Sequence, residues 1–255
     1  MLSSIVVKLA LIPDLLGLAV GGSFVHGPMD QYSDLDLAVV MHRKRVTAVM
    51  GTRRHIAESL GELLVAYTAE HIGLPQMLVC LYGNGPIHVA MNFMTPEELA
   101  AGPERPVILW DRDGTLEKLL SGRQPPSPGI DWQWIEDRFW VWTHYALTKL
   151  GRGELFASLE YVSVIREKVL GPIMLQISGG RPYTVRRVEQ VAAEYVSALQ
   201  GTVARYDKRE ILGAIQEEVR LYRALRRAQC PREEAEAAVR AYLTAIQRQI
   251  DAEST

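Results

Sequence analysis

The sequence predicts an α/β (α+β) domain with a mixed sheet, followed by an all-α helical bundle domain. Three observations support this fold class. Up to about residue 120, short apolar runs rich in Val and Leu alternate with turn residues, which is typical of strands. After about residue 130, apolar residues recur with a helical period. Between these regions lies the proline-rich segment Arg123-Gln-Pro-Pro-Ser-Pro-Gly129, which can continue neither a helix nor a central strand.

A chain of 255 residues is long enough for one or two domains. We therefore expect a linker at about 123–129, joining a first domain over residues 1–124 to a second over residues 130–255. Two helices are predicted in the first domain, over Leu2–Leu11 and Lys44–Gly61. Six strands are predicted there, at Leu15–Val20, Asp34–Val40, Leu63–Tyr67, Met77–Tyr82, Ile87–Met94 and Val107–Trp110.

The second domain is predicted to contain five amphipathic helices. Ile135, Phe139, Trp142, Ala146 and Leu150 follow one another at helical spacing. Apolar residues repeat in a similar way over 155–173, 188–199, 211–222 and 239–250. Short polar loops join these segments, which favours an antiparallel bundle.

Charge and cysteine usage exclude some classes of protein. With 28 basic and 30 acidic side chains the net charge is −2, whereas a protein that holds nucleic acid mainly by charge needs a basic face. Cys80 and Cys230 form no disulfide framework, which predicts a reduced, cytoplasmic protein. The chain has no run of about 18 uncharged apolar residues and no signal-peptide pattern, so we expect neither a membrane span nor secretion.

The most informative segment begins where the first predicted strand ends. Gly21 and Gly22 have no Cβ, so the backbone can approach a ligand closely. Ser23 can donate its hydroxyl to a phosphate and begin a helix, whose first amides favour anions. The segment therefore predicts a phosphate-binding loop.

Two carboxylates follow ten residues later, at the start of the next predicted strand. Asp34 and Asp36 are two residues apart, so both point to one face of the strand, while Leu35 and Leu37 point into the core. Neighbouring carboxylates repel each other unless a cation lies between them. Mg²⁺ prefers oxygen ligands and is often held by one or two carboxylates together with substrate phosphates. A phosphate loop beside such a pair is suited to attack on a nucleoside triphosphate.

The pattern Gly22-Ser23, Gly27 and Ser33-Asp34-Leu-Asp36 resembles the signature of the DNA polymerase beta-like nucleotidyltransferase superfamily. Its form here is most similar to the lincosamide and aminoglycoside antibiotic nucleotidyltransferases. The resemblance covers about residues 15–120. It implies that Gly22 and Ser23 bind triphosphate and that Asp34 and Asp36 bind Mg²⁺.

The implied reaction moves a nucleoside monophosphate, usually AMP from ATP, to a hydroxyl of a small acceptor. An aminoglycoside or lincosamide acceptor would connect the protein with antibiotic resistance. Dimers are common in the families that the chain resembles, so a homodimer is one expectation.

The chain departs from this family at Ala90. The resemblance implies a third carboxylate on a later strand, which serves as general base or as an additional metal ligand. Alternation along the strand turns His88, Ala90 and Asn92 toward the site, and Ala90 stands where the family has Asp or Glu. A methyl group can neither accept a proton nor ligate a metal. Three interpretations stay open: an engineered substitution, a natural protein without the base, or a different register of the strand or another group, such as His88, in that role. An alternative function follows from Ala90: a catalytically impaired nucleotide-binding protein of a regulatory or antitoxin-like kind.

Residues of the second domain supply weaker candidates. Lys149 follows a tryptophan-rich helix and could contact the triphosphate across a cleft between the domains. A polycationic acceptor would need several acidic groups, and the first two helices offer six, namely Asp131, Glu136, Asp137, Glu154, Glu160 and Glu167.

Overall fold

The computed structural model describes residues 2–27, 29–124 and 129–253. The chain divides into two compact units, Met1–Ser127 and Pro128–Thr255. Residues 125–128 of the predicted linker lie outside the described residues.

The described part of the first unit contains one mixed sheet of six strands. In sheet order these are β3, β4, β5, β2, β1 and β6, with β2 and β5 parallel and the other neighbours antiparallel. The bounds are β1 (Leu15–Val20), β2 (Leu35–Met41), β3 (Leu63–Ala69), β4 (Leu74–Tyr82), β5 (Ile87–Met94) and β6 (Val107–Asp111). The predicted fold class is confirmed for this unit, and all six predicted strands are present.

Helices cover both faces of this sheet. Their bounds are α1 (Leu2–Ala10), α2 (Ser23–His26), α3 (Val46–Leu60), α4 (Pro96–Ala101) and α5 (Thr115–Leu120). On one face α1 and α3 pack against the main apolar core, whose strand residues include Leu37 and Met91. On the other face α4 and α5 build a smaller core around Val40 and Leu116.

Helix α4 was not predicted from the sequence because it has only six residues. It forms because Thr95 and Glu98 make a capping box, in which each side chain accepts a hydrogen bond from the other residue's amide. Pro96 at the first position is already close to helical geometry.

The second unit is helical throughout its described part. Its α-helices are α6 (Trp132–Gly151), α7 (Leu155–Ile165), α8 (Gly171–Ile177), α9 (Val188–Val191), α10 (Val196–Gln200), α11 (Lys208–Leu225) and α12 (Glu233–Ala252). Asp131 and Asp207 cap α6 and α11, because their side chains accept hydrogen bonds from amides of the first turn. The core is apolar and aromatic, with Phe139 stacked on Tyr222.

Two of the five predicted helices differ in the structure. The helix over 155–173 contains a π turn at Arg166–Leu170, which ends two residues before Pro172. Proline has no amide and its ring clashes with the carbonyl four residues earlier, which the wider turn relieves. The predicted helix over 188–199 was wrong as a single element, because the backbone at Ala192 leaves the helical region (φ −126°, ψ 45°).

Within the described residues, we find no helix with the length and apolar character needed to cross a membrane.

Candidate functional site

Four chain segments meet at one edge of the sheet in the first unit. β1 ends there at Val20, and the antiparallel β2 begins beside it, with Val20 opposite Leu37. β5 is parallel to β2 and begins at the same edge, and β6 begins with Val107 opposite Val20. Residues that follow β1 and residues that precede β2, β5 and β6 are thereby brought together.

The glycine loop after β1 is bound directly to β2. The Gly21 amide donates a hydrogen bond of 2.9 Å to the carbonyl oxygen of Asp36. Gly22 has φ 58° and ψ −134°, a conformation that residues with a Cβ rarely adopt. A Cβ on Gly22 would also overlap Oδ2 of Asp36, so glycine is required here both by its backbone angles and by the carboxylate beside it.

The two aspartates face the same side of the sheet. Leu35 and Leu37 are 6% and 2% exposed in the main core, so the intervening Asp36 points to the opposite face. Asp34, directly before the strand, has a side chain that is 29% exposed. The alternation expected from the sequence therefore places both carboxylates at the partly exposed edge beside the glycine loop.

A turn directly before Asp34 is held by hydrogen bonds among its own residues. The Asp30 carboxylate accepts hydrogen bonds from the Tyr32 amide (2.9 Å) and the Ser33 hydroxyl (3.0 Å), and these donors lower the pKa of Asp30. The Asp30 amide in turn donates to the Ser33 hydroxyl at 2.9 Å. The sequence predicted no role for Asp30, and it gave Ser33 only as part of the motif.

Ala90 lies directly beside Asp36 in the parallel ladder of β2 and β5. Its neighbours Val89 and Met91 are fully buried on the other face. His88 shares the face of Ala90, and its Nδ1 lies 3.8 Å from Oδ2 of Asp34. The methyl group of Ala90 thus occupies the sheet position from which a side chain would reach Asp36.

Glu104 also reaches the glycine loop, and the sequence reasoning missed it. Its Oε1 accepts a hydrogen bond of 3.1 Å from the Gly22 amide. A Cβ on Gly21 would lie 2.5 Å from the same oxygen, so the carboxylate lies over the loop. Only the pairing of β6 with β1 could have revealed this contact, because Glu104 lies 82 residues from Gly22 along the chain.

Apart from Glu160, the candidate residues of the second unit have partners within that unit. Lys149 lies in the last turn of α6, and its Nζ is 2.7 Å from Oε2 of Glu154. Glu136 is fully buried and accepts hydrogen bonds from the Trp140 indole (3.0 Å) and the Arg232 amide (2.9 Å). Asp131, Asp137 and Glu167 likewise have hydrogen-bond or ion-pair partners. Of the six acidic residues, Glu160 lies exposed on α7.

The donor set at the sheet edge fits Mg²⁺ in chemistry. Two carboxylates on one face match the hard oxygen ligands that Mg²⁺ prefers, and the adjoining glycine loop lies directly against the Asp36 carboxylate. In the described part of the chain no group of three or more His, Cys, Asp or Glu residues could hold a metal ion. Protein ligands from Asp34 and Asp36 would therefore need to be completed by substrate or water oxygens.

Comparison with known proteins gave matches among solved structures. No family model matches the sequence, and no curated protein matches it. The structure is similar to an aminoglycoside 6-adenyltransferase from Bacillus subtilis, with 12% identity, a TM-score of 0.36, and coverage of 98% of this chain and 96% of the other. It is also similar to a nucleotidyltransferase-like protein from Exiguobacterium sibiricum 255-15, with 13% identity, a TM-score of 0.44, and coverage of 97% and 78%. Both similarities are at low sequence identity.

Proposed function

We propose that this chain is a Mg²⁺-dependent nucleotidyltransferase of the adenylyltransferase type. It would move AMP from ATP to a hydroxyl of a small acceptor and release pyrophosphate. The observation that carries the proposal is the contact of Gly22 with Asp36, which joins a glycine loop to a pair of carboxylates suited to Mg²⁺.

Each residue at the sheet edge has a role in this proposal. Gly22 and Ser23 bind the triphosphate, because a backbone amide and a hydroxyl can donate to phosphate oxygens and glycine permits close approach. Asp34 and Asp36 hold the metal ion. When bound, Mg²⁺ neutralises charge on the phosphate oxygens. The turn at Asp30 and Ser33 keeps Asp34 in position.

The missing carboxylate at Ala90 predicts slow chemistry. No group at that position can accept the proton of the acceptor hydroxyl, and loss of a general base lowers a rate by about 10²–10⁴-fold. Phosphoryl transfer depends mainly on positioning and electrostatic stabilisation, which the remaining residues can supply. We therefore propose that nucleotide binding is retained and that turnover is slow.

The acceptor is proposed from the motif resemblance to be a lincosamide or an aminoglycoside. Five of the six acidic residues considered for a polycationic acceptor have structural partners, and Glu136 is completely buried. This favours the less highly charged lincosamides as the first acceptors to test. A contribution of Lys149 to nucleotide binding, a homodimer and a cytoplasmic location stay predictions.

The alanine at position 90 also favours a second candidate function. With Ala90 beside Asp36, the chain would be a nucleotide-binding regulatory or antitoxin-like protein that does not catalyse transfer. Both candidates require the Asp34 and Asp36 site, and they differ in whether an acceptor is modified.

The binding step is tested by titrating MgATP into the protein, the Asp34→Asn and Asp36→Asn variants, and a control, Glu62→Gln, that removes an exposed carboxylate elsewhere in the first unit. We expect the control to bind as the unmodified protein does. Each aspartate variant should bind at least tenfold more weakly, since one charge-assisted ligand is lost. Unchanged affinity in both aspartate variants would contradict both candidate functions.

The two candidates are separated by turnover. The protein is incubated with ATP, Mg²⁺ and a panel of lincosamides and aminoglycosides, and pyrophosphate release and the mass of the acceptor are measured. An acceptor that gains the mass of AMP supports the enzyme. Binding of MgATP with no modified acceptor, in the protein and in Ala90→Asp, favours the regulatory candidate.

A further inference from the structure

We propose that Glu104 is an internal competitor of the nucleotide, whose carboxylate must leave the glycine loop before the triphosphate can bind. This inference rests on the proposed function, because it concerns regulation of the same site. Glu104 lies outside the Gly-Gly-Ser and Asp-x-Asp motifs.

The contact itself has the chemistry of a bound phosphate. Oε1 of Glu104 is an anionic oxygen that accepts the Gly22 amide hydrogen at 3.1 Å. It also occupies the space above Gly21 that a side chain would otherwise fill. A phosphate oxygen that used this amide would have to take the same position, because one N–H makes one strong hydrogen bond.

The segment that carries Glu104 is held at both ends. Gly102 ends α4, and Val107 begins β6 opposite Val20. Arg123 holds the segment between these two points. Its guanidinium donates one hydrogen bond to the carbonyl oxygen of Gly102 and another, of 3.1 Å, to the carbonyl oxygen of Glu104. Arg123 therefore acts as a positioning residue, which fixes the backbone from which the Glu104 side chain reaches the loop.

Electrostatics favours displacement of Glu104 over binding beside it. Asp36 already lies against Gly22, so the carboxylate of Glu104 adds a second negative charge at the loop. A triphosphate would bring further negative charge to the same amides, and like charges in contact raise the free energy of the bound state. Removing the Glu104 charge should therefore strengthen phosphate binding.

The test compares four variants with the unmodified full chain by calorimetric titration with Mg²⁺–pyrophosphate and with MgATP. Glu104→Gln removes the charge, and Glu104→Ala removes the acceptor as well. Arg123→Met removes the two hydrogen bonds that hold the segment. Glu97→Gln, on the exposed side of the neighbouring helix α4, removes one carboxylate without contact to the loop and is the matched control.

We expect both Glu104 variants to bind Mg²⁺–pyrophosphate about tenfold more tightly, which is the size of one charge-assisted hydrogen bond. Arg123→Met should also bind more tightly, by about threefold, because the segment is released. Glu97→Gln should bind as the unmodified protein does. A gain in affinity cannot arise from partial unfolding, which would weaken binding.

A second readout needs no ligand. The amide proton of Gly22 should shift in the NMR spectrum of Glu104→Ala relative to that of Glu97→Gln, because it loses its acceptor. An unshifted Gly22 amide, or equal or weaker binding by both Glu104 variants while the unmodified protein binds MgATP, would overturn the inference and leave the proposed function standing. Absence of binding in every protein, including Glu104→Ala, would overturn both.

Discussion

The Asp36 carboxylate occupies the space that a side chain at Gly22 would need, and the Asp36 carbonyl accepts the amide hydrogen of the preceding residue, Gly21. This relationship makes the glycine loop and the acidic pair one structural unit. A substitution in the glycine loop should therefore affect the acidic pair, and a substitution in the acidic pair should affect the loop.

Replacing Gly22 with alanine should destabilise the first unit much more than replacing Gly21. At Gly22 the backbone has φ 58°, and a Cβ overlaps Oδ2 of Asp36. Strain of this kind costs about 1–3 kcal/mol. At Gly21 the new Cβ meets only the flexible end of Glu104, so we expect a loss below about 1 kcal/mol.

Urea unfolding of the two alanine variants beside the unmodified protein measures this difference. The same slope with a lower midpoint for Gly22→Ala is expected. Equal midpoints for the two variants would mean that neither the backbone conformation of Gly22 nor its contact with Asp36 makes the alanine substitution more destabilising there than at Gly21.

A carboxylate at residue 90 should restore catalysis. Ala90 lies beside Asp36 in the parallel ladder, so Ala90→Asp places a third acid at the site. We expect pyrophosphate release with a competent acceptor to rise by about 10²–10⁴-fold. Ala90→Asn has nearly the same size without the charge and is the control, which should stay at the unmodified rate.

The added charge has a further consequence for stability. In the absence of metal, Ala90→Asp should unfold at a lower temperature than Ala90→Asn, since like charges lie side by side. Added Mg²⁺ should raise the melting temperature of Ala90→Asp more than that of Ala90→Asn. An equal Mg²⁺ effect on both would argue against a metal site beside Asp36.

The contribution of Glu218 to the stability of the second unit should fall as the pH rises. This side chain is fully buried, its carboxylate oxygens have no hydrogen-bond partner among the described residues, and burial raises its pKa well above the usual value. The nearby Arg166 opposes the shift. A carboxyl whose pKa is raised in the folded state contributes stability that is complete below its unfolded pKa and is lost as the pH rises through the folded pKa.

Glu218→Gln should therefore melt at a higher temperature than the unmodified protein at pH 8, and the difference should shrink toward pH 5. The neighbouring Glu217→Gln is the control. Glu217 is paired with Arg220 through two hydrogen bonds, which lower its pKa, so its replacement should give no gain at pH 8. Melting curves at both pH values that show no gain for Glu218→Gln would contradict the prediction.

Arg226 should stabilise the second unit far more than Arg223, although both contact Glu236. Nη1 of Arg226 lies 2.6 Å from Oε2 of Glu236 and 3.6 Å from Oε1 of the buried Glu136. Removing one partner of a buried ion pair costs about 3–5 kcal/mol. Arg223 is 46% exposed, and an exposed pair contributes about 0–1 kcal/mol.

Urea unfolding of Arg226→Met and Arg223→Met checks this comparison. Methionine keeps most of the apolar stem, so the difference reports mainly on the charge. Similar midpoints for both variants would show that the Arg226 charge does not stabilise the carboxylates of Glu136 and Glu236.

Much of the first unit follows from local sequence patterns. The strand over Ile87–Met94 was predicted with the bounds that the structure has, because its large apolar residues Val89, Met91 and Phe93 recur at every second position. The helix α4 was missed, since its six residues are too few for a period and only its capping box marks it. In the second unit, the break at Ala192 was missed because tertiary packing outweighs the apolar spacing on which the helix was predicted.

By itself, the sequence determined that this protein has a mixed sheet before a helical half, and that Gly22, Ser23, Asp34 and Asp36 lie at strand ends. Periodicity and the absence of a Cβ are local properties, so they can be read along the chain. Only the tertiary structure decided that Asp36 fills the space beside Gly22, that Ala90 is its neighbour in the ladder, and that Glu104 reaches the loop. These contacts depend on which strands pair and in which register, and the pairing of β6 with β1 joins residues about 90 positions apart.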